Sequence, residues 1–360
     1  MSFREEAFHL TNEIDLSIRC DLSLPKGEGP FPVVVLLHGF KGFKDWGMFP
    51  HTAQALAARG IAVLRMNTSM NGVEEELEEF TRLDLFAKNT PSREVADVRL
   101  VLDALESGSA AEAAGCPGMV DASRIGIVGH SKGGGVALLV AGGDPRVQCV
   151  VTWAAIASFY RWSDRAVEKW REDGRIDIPN ARTGQMMWLD ASVLEDGERN
   201  REAYDIEAAC RRTTAPGLVI HGEVDESVEV RDSARIFDWL GSAAKERLVI
   251  PHTGHTFGAV HPWAGATPAW EQAVAKSAED RHIKHLFIYR DPRDAFISYM
   301  NYVVHSGKNQ QSLAGRTEQD YYLTEFSNDD DRLAHVIESR RSYKFLKFAP
   351  WLNSPHCFSV

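Results

Sequence analysis

Gly129-His130-Ser131-Lys132-Gly133 stands between two apolar runs, Arg124-Ile125-Gly126-Ile127-Val128 before it and Gly134-Gly135-Val136-Ala137-Leu138-Leu139-Val140 after it. The first run predicts a strand and the second a buried helix. A serine in a Gly-x-Ser-x-Gly frame between strand and helix sits on a sharp, strained turn that exposes its hydroxyl, the nucleophile elbow. The glycines two before and two after it let strand and helix approach. The plainer alternative is a glycine-rich turn carrying a surface serine.

Outward from this turn, the chain alternates strands with helices. Near Ala7–Leu10 and Ile14–Leu24 the pattern predicts an antiparallel pair, and Lys26-Gly27-Glu28-Gly29-Pro30 a turn. Val33-Val34-Val35-Leu36-Leu37 is continuously apolar, as in a strand covered on both faces. A short helix over Thr52–Arg59 and a strand over Ile61–Asn67 follow, and the acidic stretch Glu74–Glu79 reads as a solvated face or loop. Thr90 and Pro91 look like an N-cap and first helical residue, with Val95, Val98, Val101, Leu102 and Leu105 at helical spacing behind them. Further strands are expected at Val147–Ala154, Gly217–Ile220 and Arg247–Ile250. This order predicts an α/β fold, a mostly parallel, doubly wound sheet. The alternation fails between Ile156 and Pro216, where Phe159, Tyr160, Trp162, Trp170 and Trp188 stand among charged residues. A long insertion of this kind predicts a lid over a site; a helical excursion on the surface is the alternative.

A serine hydroxyl is a weak nucleophile at neutral pH and needs a base, itself oriented by an acid. In a doubly wound sheet carrying an elbow, these follow in the order serine, acid, histidine. Val219-Ile220-His221-Gly222-Glu223-Val224-Asp225 puts Asp225 just past one strand, and Val249-Ile250-Pro251-His252-Thr253-Gly254-His255-Thr256-Phe257 puts a histidine past the next. Glu223 and Glu226 compete with Asp225, and His252 and His261 with His255. Asp225 is preferred, and so is His255, because Gly254 would allow a tight turn that presents the ring. The oxyanion of a tetrahedral intermediate needs backbone donors. The candidates are the N–H of Lys132, after the serine, and of Phe40 in the loop Leu37-His38-Gly39-Phe40-Lys41-Gly42. His38 in that loop is read as a brace rather than a base.

The 360 residues suffice for one large domain and a small one, and 44% hydrophobic residues suit a sizeable core. A formal net charge of -11 argues against nucleic acid and anionic membranes as partners. The five cysteines, Cys20, Cys116, Cys149, Cys210 and Cys357, show neither metal-ligand spacing nor a disulfide framework, which points to a reducing cytoplasm. The N-terminus lacks the pattern of a signal peptide, and no apolar run is long enough to span a bilayer. No metal and no organic cofactor is implied.

From about Phe8 to Arg281 the chain resembles the α/β-hydrolase superfamily, in particular its dienelactone-hydrolase-like and acyl-peptidase-like serine esterases. The resemblance rests on Leu37-His38-Gly39-Phe40, Gly129-His130-Ser131-Lys132-Gly133, Ile220-His221-Gly222-Glu223-Val224-Asp225-Glu226-Ser227-Val228 and Gly254-His255-Thr256-Phe257. Asn180-Ala181-Arg182-Thr183-Gly184-Gln185 is similar to a segment of uncharacterised members. True dienelactone hydrolases use cysteine where this chain has Ser131, which favours esters over dienelactones. The resemblance implies a hydrolase domain over residues 1–280, with a lid insertion at about 156–216. It also implies hydrolysis of a small-molecule ester through an acyl-enzyme, and the aromatic insertion points to an apolar one. Thioester hydrolysis, acyl transfer and peptide cleavage on the same triad are the alternatives. Residues 281–360 resemble part of a cytosolic-type sulfotransferase. Arg290 and Ser298, in Lys284-His285-Leu286-Phe287-Ile288-Tyr289-Arg290-Asp291-Pro292-Arg293-Asp294-Ala295-Phe296-Ile297-Ser298, match the residues that hold the donor's 3′-phosphate. The Lys-Ser-Gly-Thr loop for the 5′-phosphosulfate is absent. A nucleotide-binding, sulfotransferase-related protein is the alternative from another class, and sulfotransfer itself is not expected. The oligomeric state is left open.

Overall fold

The computed structural model describes residues 3–278 apart from 75, 77 and 78. All of them belong to the first of two units into which the chain divides, Met1–Leu286. The expectations for residues 281–360, Arg290 and Ser298 included, lie outside the described residues.

Strands β1 (Phe3–Thr11) and β2 (Ser17–Pro25) form the predicted antiparallel hairpin, Phe3 opposite Pro25 and Thr11 opposite Ser17. Next come β3 (Phe31–Leu37), α1 (Met48–Ala57), β4 (Ala62–Met66), α2 (Leu83–Phe86), α3 (Pro91–Ser107) and α4 (Ser109–Ala113). The elbow joins β5 (Val120–His130) to α5 (Lys132–Ala141), and β6 (Val147–Trp153) follows. The insertion holds α6 (Asp164–Asp173), a hairpin of β7 (Arg175–Pro179) and β8 (Met186–Asp190), and α7 (Ala191–Arg199). The chain returns through α8 (Ile206–Arg212), β9 (Gly217–Gly222), α9 (Val230–Trp239), β10 (Lys245–Ile250) and α10 (Pro268–Ser277).

The eight-stranded sheet has the order β1-β2-β4-β3-β5-β6-β9-β10. Only β1 and β2 run antiparallel to their neighbours; the pairs from β4 through β10 are parallel. This is the α/β-hydrolase arrangement. The parallel strands are buried on both faces, which is why they read as unbroken apolar runs. Val33, Val35, Ile125 and Ile127 are fully buried in the main core with Val98, Val101, Leu102, Leu138 and Val140 of the covering helices.

Helix α3 begins as the sequence predicts. Pro91 opens it, and Thr90 caps it by accepting a hydrogen bond from the Arg93 N–H at 3.2 Å. Helix α1 starts at Met48, four residues before its expected start. Met48 and Phe49 are buried, so tertiary packing extends the helix beyond what the local pattern shows.

The insertion is shorter than the stretch 156–216. Ile206, Ala209 and Cys210 of α8 belong to the main core, so α8 is an ordinary crossover helix covering the sheet. The excursion proper holds α6, the β7–β8 hairpin and α7. It carries a second apolar cluster in which Trp170, Ile178, Met187 and Leu189 close around Phe43, Val73, Phe80 and Phe86. Two of its aromatics therefore have structural work: Trp170 is buried in this cluster, and Trp162 packs edge-on against it at 5.5 Å between ring centres.

Candidate active site

Parallel strands leave their carboxyl ends on one edge of the sheet, and sites in open α/β sheets form there. Ser131 follows β5, Asp225 follows β9 and His255 follows β10.

Ser131 has φ 56° and ψ -120°, a conformation few side chains adopt and one that costs on the order of 1–3 kcal/mol. Its surroundings enforce it. The Ser131 N–H donates to the Trp153 carbonyl at 2.9 Å, and its own carbonyl accepts from Gly134 and Gly135 of α5 at 3.0 and 3.3 Å. Gly129 is required for the reason the sequence suggests, the approach of strand and helix, and Gly133 for another, the approach of the loop after β3. A Cβ on Gly129 would stand 2.3 Å from the Gly133 oxygen, and one on Gly133 would stand 2.3 Å from the His38 oxygen.

The loop after β3 lies directly against the serine. A Cβ on Gly39 would come within 2.8 Å of the Ser131 Cβ, so only glycine permits this approach. Phe40 comes next in that loop, and Lys132 opens α5. Buried polar contacts anchor the loop behind them. The Lys44 N–H donates to Asn67 Oδ1 at 2.6 Å, and Arg65 donates to the Lys44 carbonyl at 2.9 Å. Lys44 Nζ and Arg65 share Asp21 Oδ2 at 2.5 and 2.9 Å. His38 Nδ1 donates to the Gly39 carbonyl at 2.9 Å, and burial lowers its basicity. It acts as the expected brace. The Lys132 side chain turns away to Glu94 at 3.0 Å and lies 5.9 Å from the centre of the Phe40 ring.

Asp225 and His255 meet. His255 Nδ1 donates to Asp225 Oδ2 at 2.8 Å, and Asp225 Oδ1 accepts the N–H groups of Ser227 and Val228 at 2.8 and 2.9 Å. Burial pushes the Asp225 carboxyl up. Hydrogen bonds from His221, His255 and Val228 outweigh it and hold the group well below the usual carboxylate range. His255 is tied to the elbow as well. His130 Nε2 donates to the His255 carbonyl at 2.9 Å, and the two rings lie 4.7 Å apart. Burial, reinforced by the neighbouring His255, brings His130 down to about 3, so His130 stays neutral and its ring is a fixed donor.

The competing residues lie elsewhere. Glu223 and Glu226 are exposed, and the His252 side chain is 92% exposed with its ring 3.6 Å from Glu223. His261 accepts from the Gly47 N–H at 3.0 Å and stacks on Trp46. The reason expected for His255 is not the one the structure gives. Gly254 is not in the left-handed region, and a Cβ there would meet nothing nearer than 3.7 Å. The left-handed residues on either side of His255 are His252 and Phe257, each with φ 56°. What lets the loop close on Asp225 is Gly222, where a Cβ would strike the Thr253 and Gly254 oxygens at 2.4 and 2.5 Å.

The sequence reading passed over two residues, His130 and His221. His221 is fully buried at the end of β9, with Nε2 3.3 Å from Asp225 Oδ2 and 2.9 Å from the Val228 carbonyl. The available signal was a histidine at the end of each strand, one residue before Ser131 and four before Asp225. Among the described residues no group of histidine, cysteine and acidic side chains could hold a metal ion, and no helix is long and apolar enough to cross a membrane.

Fold and site geometry define an α/β-hydrolase. Residues 47–265 match the family model described as the prolyl oligopeptidase family, and the chain belongs to that family. It is 25% identical over 241 residues to an uncharacterised peptidase, YuxL, of Bacillus subtilis, a match covering 66% of this chain and 33% of the relative. It is 24% identical over 208 residues to 2,6-dihydropseudooxynicotine hydrolase of Paenarthrobacter nicotinovorans, covering 56% of this chain and 47% of that protein. The chain thus spans a third to a half of the length of these relatives. Among solved structures, Est1E from Butyrivibrio proteoclasticus superposes with a TM-score of 0.53 at 16% identity, over 78% of this chain and 98% of that one. The chain has the α/β-hydrolase fold.

Proposed function

We propose that the protein hydrolyses carboxylic esters through Ser131, His255 and Asp225. Ser131 Oγ attacks the acyl carbon while His255 Nε2 takes its proton. The Phe40 and Lys132 N–H groups receive the oxyanion. His255 returns the proton to the leaving alcohol, which departs and leaves an acyl-enzyme, and water activated by His255 repeats the sequence to release the acid. Asp225 fixes the ring so that Nε2 faces the serine, and it stabilises the imidazolium that forms.

The observation that carries this reading is the 2.8 Å bond between His255 Nδ1 and a buried carboxylate, on a loop held to the residue next to Ser131. Phe40, Val224 and Val260, all exposed, stand beside the oxyanion loop, the acid and the base loop in sequence, which suits a small, apolar substrate. The insertion serves as a lid. Lys41 Nζ donates to the Pro179 carbonyl of its hairpin at 3.1 Å, and Arg161 donates to the Ser227 carbonyl of the acid loop at 2.7 Å. The excursion is therefore tied to both sides of the serine. The cysteines among the described residues, Cys20, Cys116, Cys149 and Cys210, are buried and unpaired, which suits a reducing compartment such as the cytoplasm.

Membership of the prolyl oligopeptidase family favours peptide cleavage as the second reading. A panel of p-nitrophenyl esters of graded chain length, run beside aminoacyl p-nitroanilides, separates the two. Esters are expected to be cut, with His255→Ala slowed at least about 1,000-fold and His252→Ala near wild type. Turnover of anilides alone, or equal losses in both variants, would contradict the proposal.

A further inference from the structure

Asp225 has more partners than an orienting acid requires. Its Oδ1 is held by two backbone N–H groups, and these alone fix the plane of the carboxylate. Its Oδ2 serves His255 at 2.8 Å and also lies 3.3 Å from His221 Nε2. That nitrogen faces a second oxygen, the Val228 carbonyl, at 2.9 Å. A carboxylate and a carbonyl only accept, so Nε2 must carry the hydrogen. The other ring nitrogen, Nδ1, is buried with no hydrogen-bond partner, which fits a neutral ring in the Nε2–H tautomer.

We propose that His221 is a positioning residue that shares Asp225 Oδ2 with His255 and so limits how strongly the acid draws a proton onto the base. The proposal rests on the reading of His255 as the base. A second donor on Oδ2 spreads the negative charge that would otherwise act on His255 alone. The base then stays unprotonated, and able to accept from Ser131, to lower pH. The same hydrogen ties Val228 to the acid, so strand β9 and the start of α9 hold the loop between them.

The groups facing the pair are few. His221 comes from β9 and His130 from the end of β5. Arg161 of the insertion reaches the acid loop at the Ser227 carbonyl, and the Glu223–His252 pair lies on the exposed side. His130 donates to the His255 carbonyl and not to Asp225, so among these groups His221 is the side chain whose removal changes the charge on Oδ2 most directly.

The test compares His221→Leu, which removes the donor at similar volume, with His221→Gln, whose amide restores one. Both are followed through the pH profile of kcat/KM on a p-nitrophenyl ester, whose acid limb reports the free enzyme's base. In His221→Leu the limb is expected to move alkaline by about half a pH unit to one, so that kcat/KM at pH 6 falls about three- to tenfold while the plateau stays within about threefold. His221→Gln is expected to bring the limb back toward wild type. An unmoved limb in the leucine variant, or equal losses in both variants at every pH, would overturn the proposal and leave a packing role. Nitrogen-15 NMR of the wild-type histidine rings tests the placement without activity and without relying on a variant that folds. An Nε2–H tautomer on His221 is expected, and an Nδ1–H tautomer would overturn the proposal. Fluorophosphonate labelling of wild-type Ser131 separates the two failures: an unlabelled serine sinks the esterase reading, whereas a labelled serine with an unmoved limb sinks only the role of His221.

Discussion

Replacing Gly222 by alanine tests what brings acid and base together. The added Cβ would lie 2.4 Å from the Thr253 oxygen and 2.5 Å from the Gly254 oxygen, where ordinary contact begins at 3.4 Å. Both obstacles are backbone, so no side chain can swing aside. The base loop must retreat by about 1 Å, and overpacking of this kind costs about 1–3 kcal/mol. In a domain of this size that lowers Tm by about 2–6 °C. The larger effect falls on His255, two residues from the displaced carbonyl. A misplacement of about 1 Å costs roughly 100-fold in rate. Gly222→Ala should therefore fold, melt slightly early, and lose about two orders of magnitude in kcat/KM on a p-nitrophenyl ester. Gly254→Ala is the control. Its Cβ has room and its backbone is ordinary, so it should keep stability and rate within about twofold, with any change in stability toward the stabilising side. Equal damage from the two substitutions, or an undisturbed Gly222→Ala, would refute the reasoning.

Two other outcomes follow from the same structure. Asp225 holds its proton less tightly when folded than when unfolded, so its contribution to stability is present above about pH 4 and is lost as pH falls through the lower folded value. Asp225→Asn should thus be less stable than wild type at pH 7 by urea unfolding, and the gap should close below about pH 4; a gap independent of pH would contradict this. Trp170→Ala should cost about 3–5 kcal/mol locally and open the insertion to protease between β6 and α8 while the sheet stays intact. Cleavage spread evenly over the domain would mean that the insertion has no core of its own.

The parallel strands were legible because burial on both faces leaves a run with no polar interruption, as in Val33–Leu37 and Ile125–Val128. The elbow was legible because Gly129 answers to a contact four residues away, at Gly133, although Gly133 itself answers to the distant His38. The β7–β8 hairpin was not, since its apolar residues pair with Phe43, Phe80 and Phe86, far away in sequence. Nor was α8 separable from the insertion, because only contact with the main core marks it as a crossover helix. At the site, Ser131, Asp225 and His255 could be named from order and spacing. The buried donors His130 and His221 could not, because what distinguishes them is which oxygen each ring nitrogen faces. Gly254 shows the same limit. A glycine beside a key residue invited a local explanation, while the close approach that matters is made by Gly222, 33 positions from the histidine it serves.

The central claim is that Ser131 is a nucleophile activated by His255 and Asp225. Labelling with a fluorophosphonate, followed by mass spectrometry of the digested protein, tests it most directly. The account predicts one phosphonyl adduct, on Ser131, formed in step with loss of ester hydrolysis, slowed in His255→Ala and absent in Ser131→Ala. Esterase activity that survives in Ser131→Ala, or an adduct on another residue accompanying the loss of activity, would contradict it.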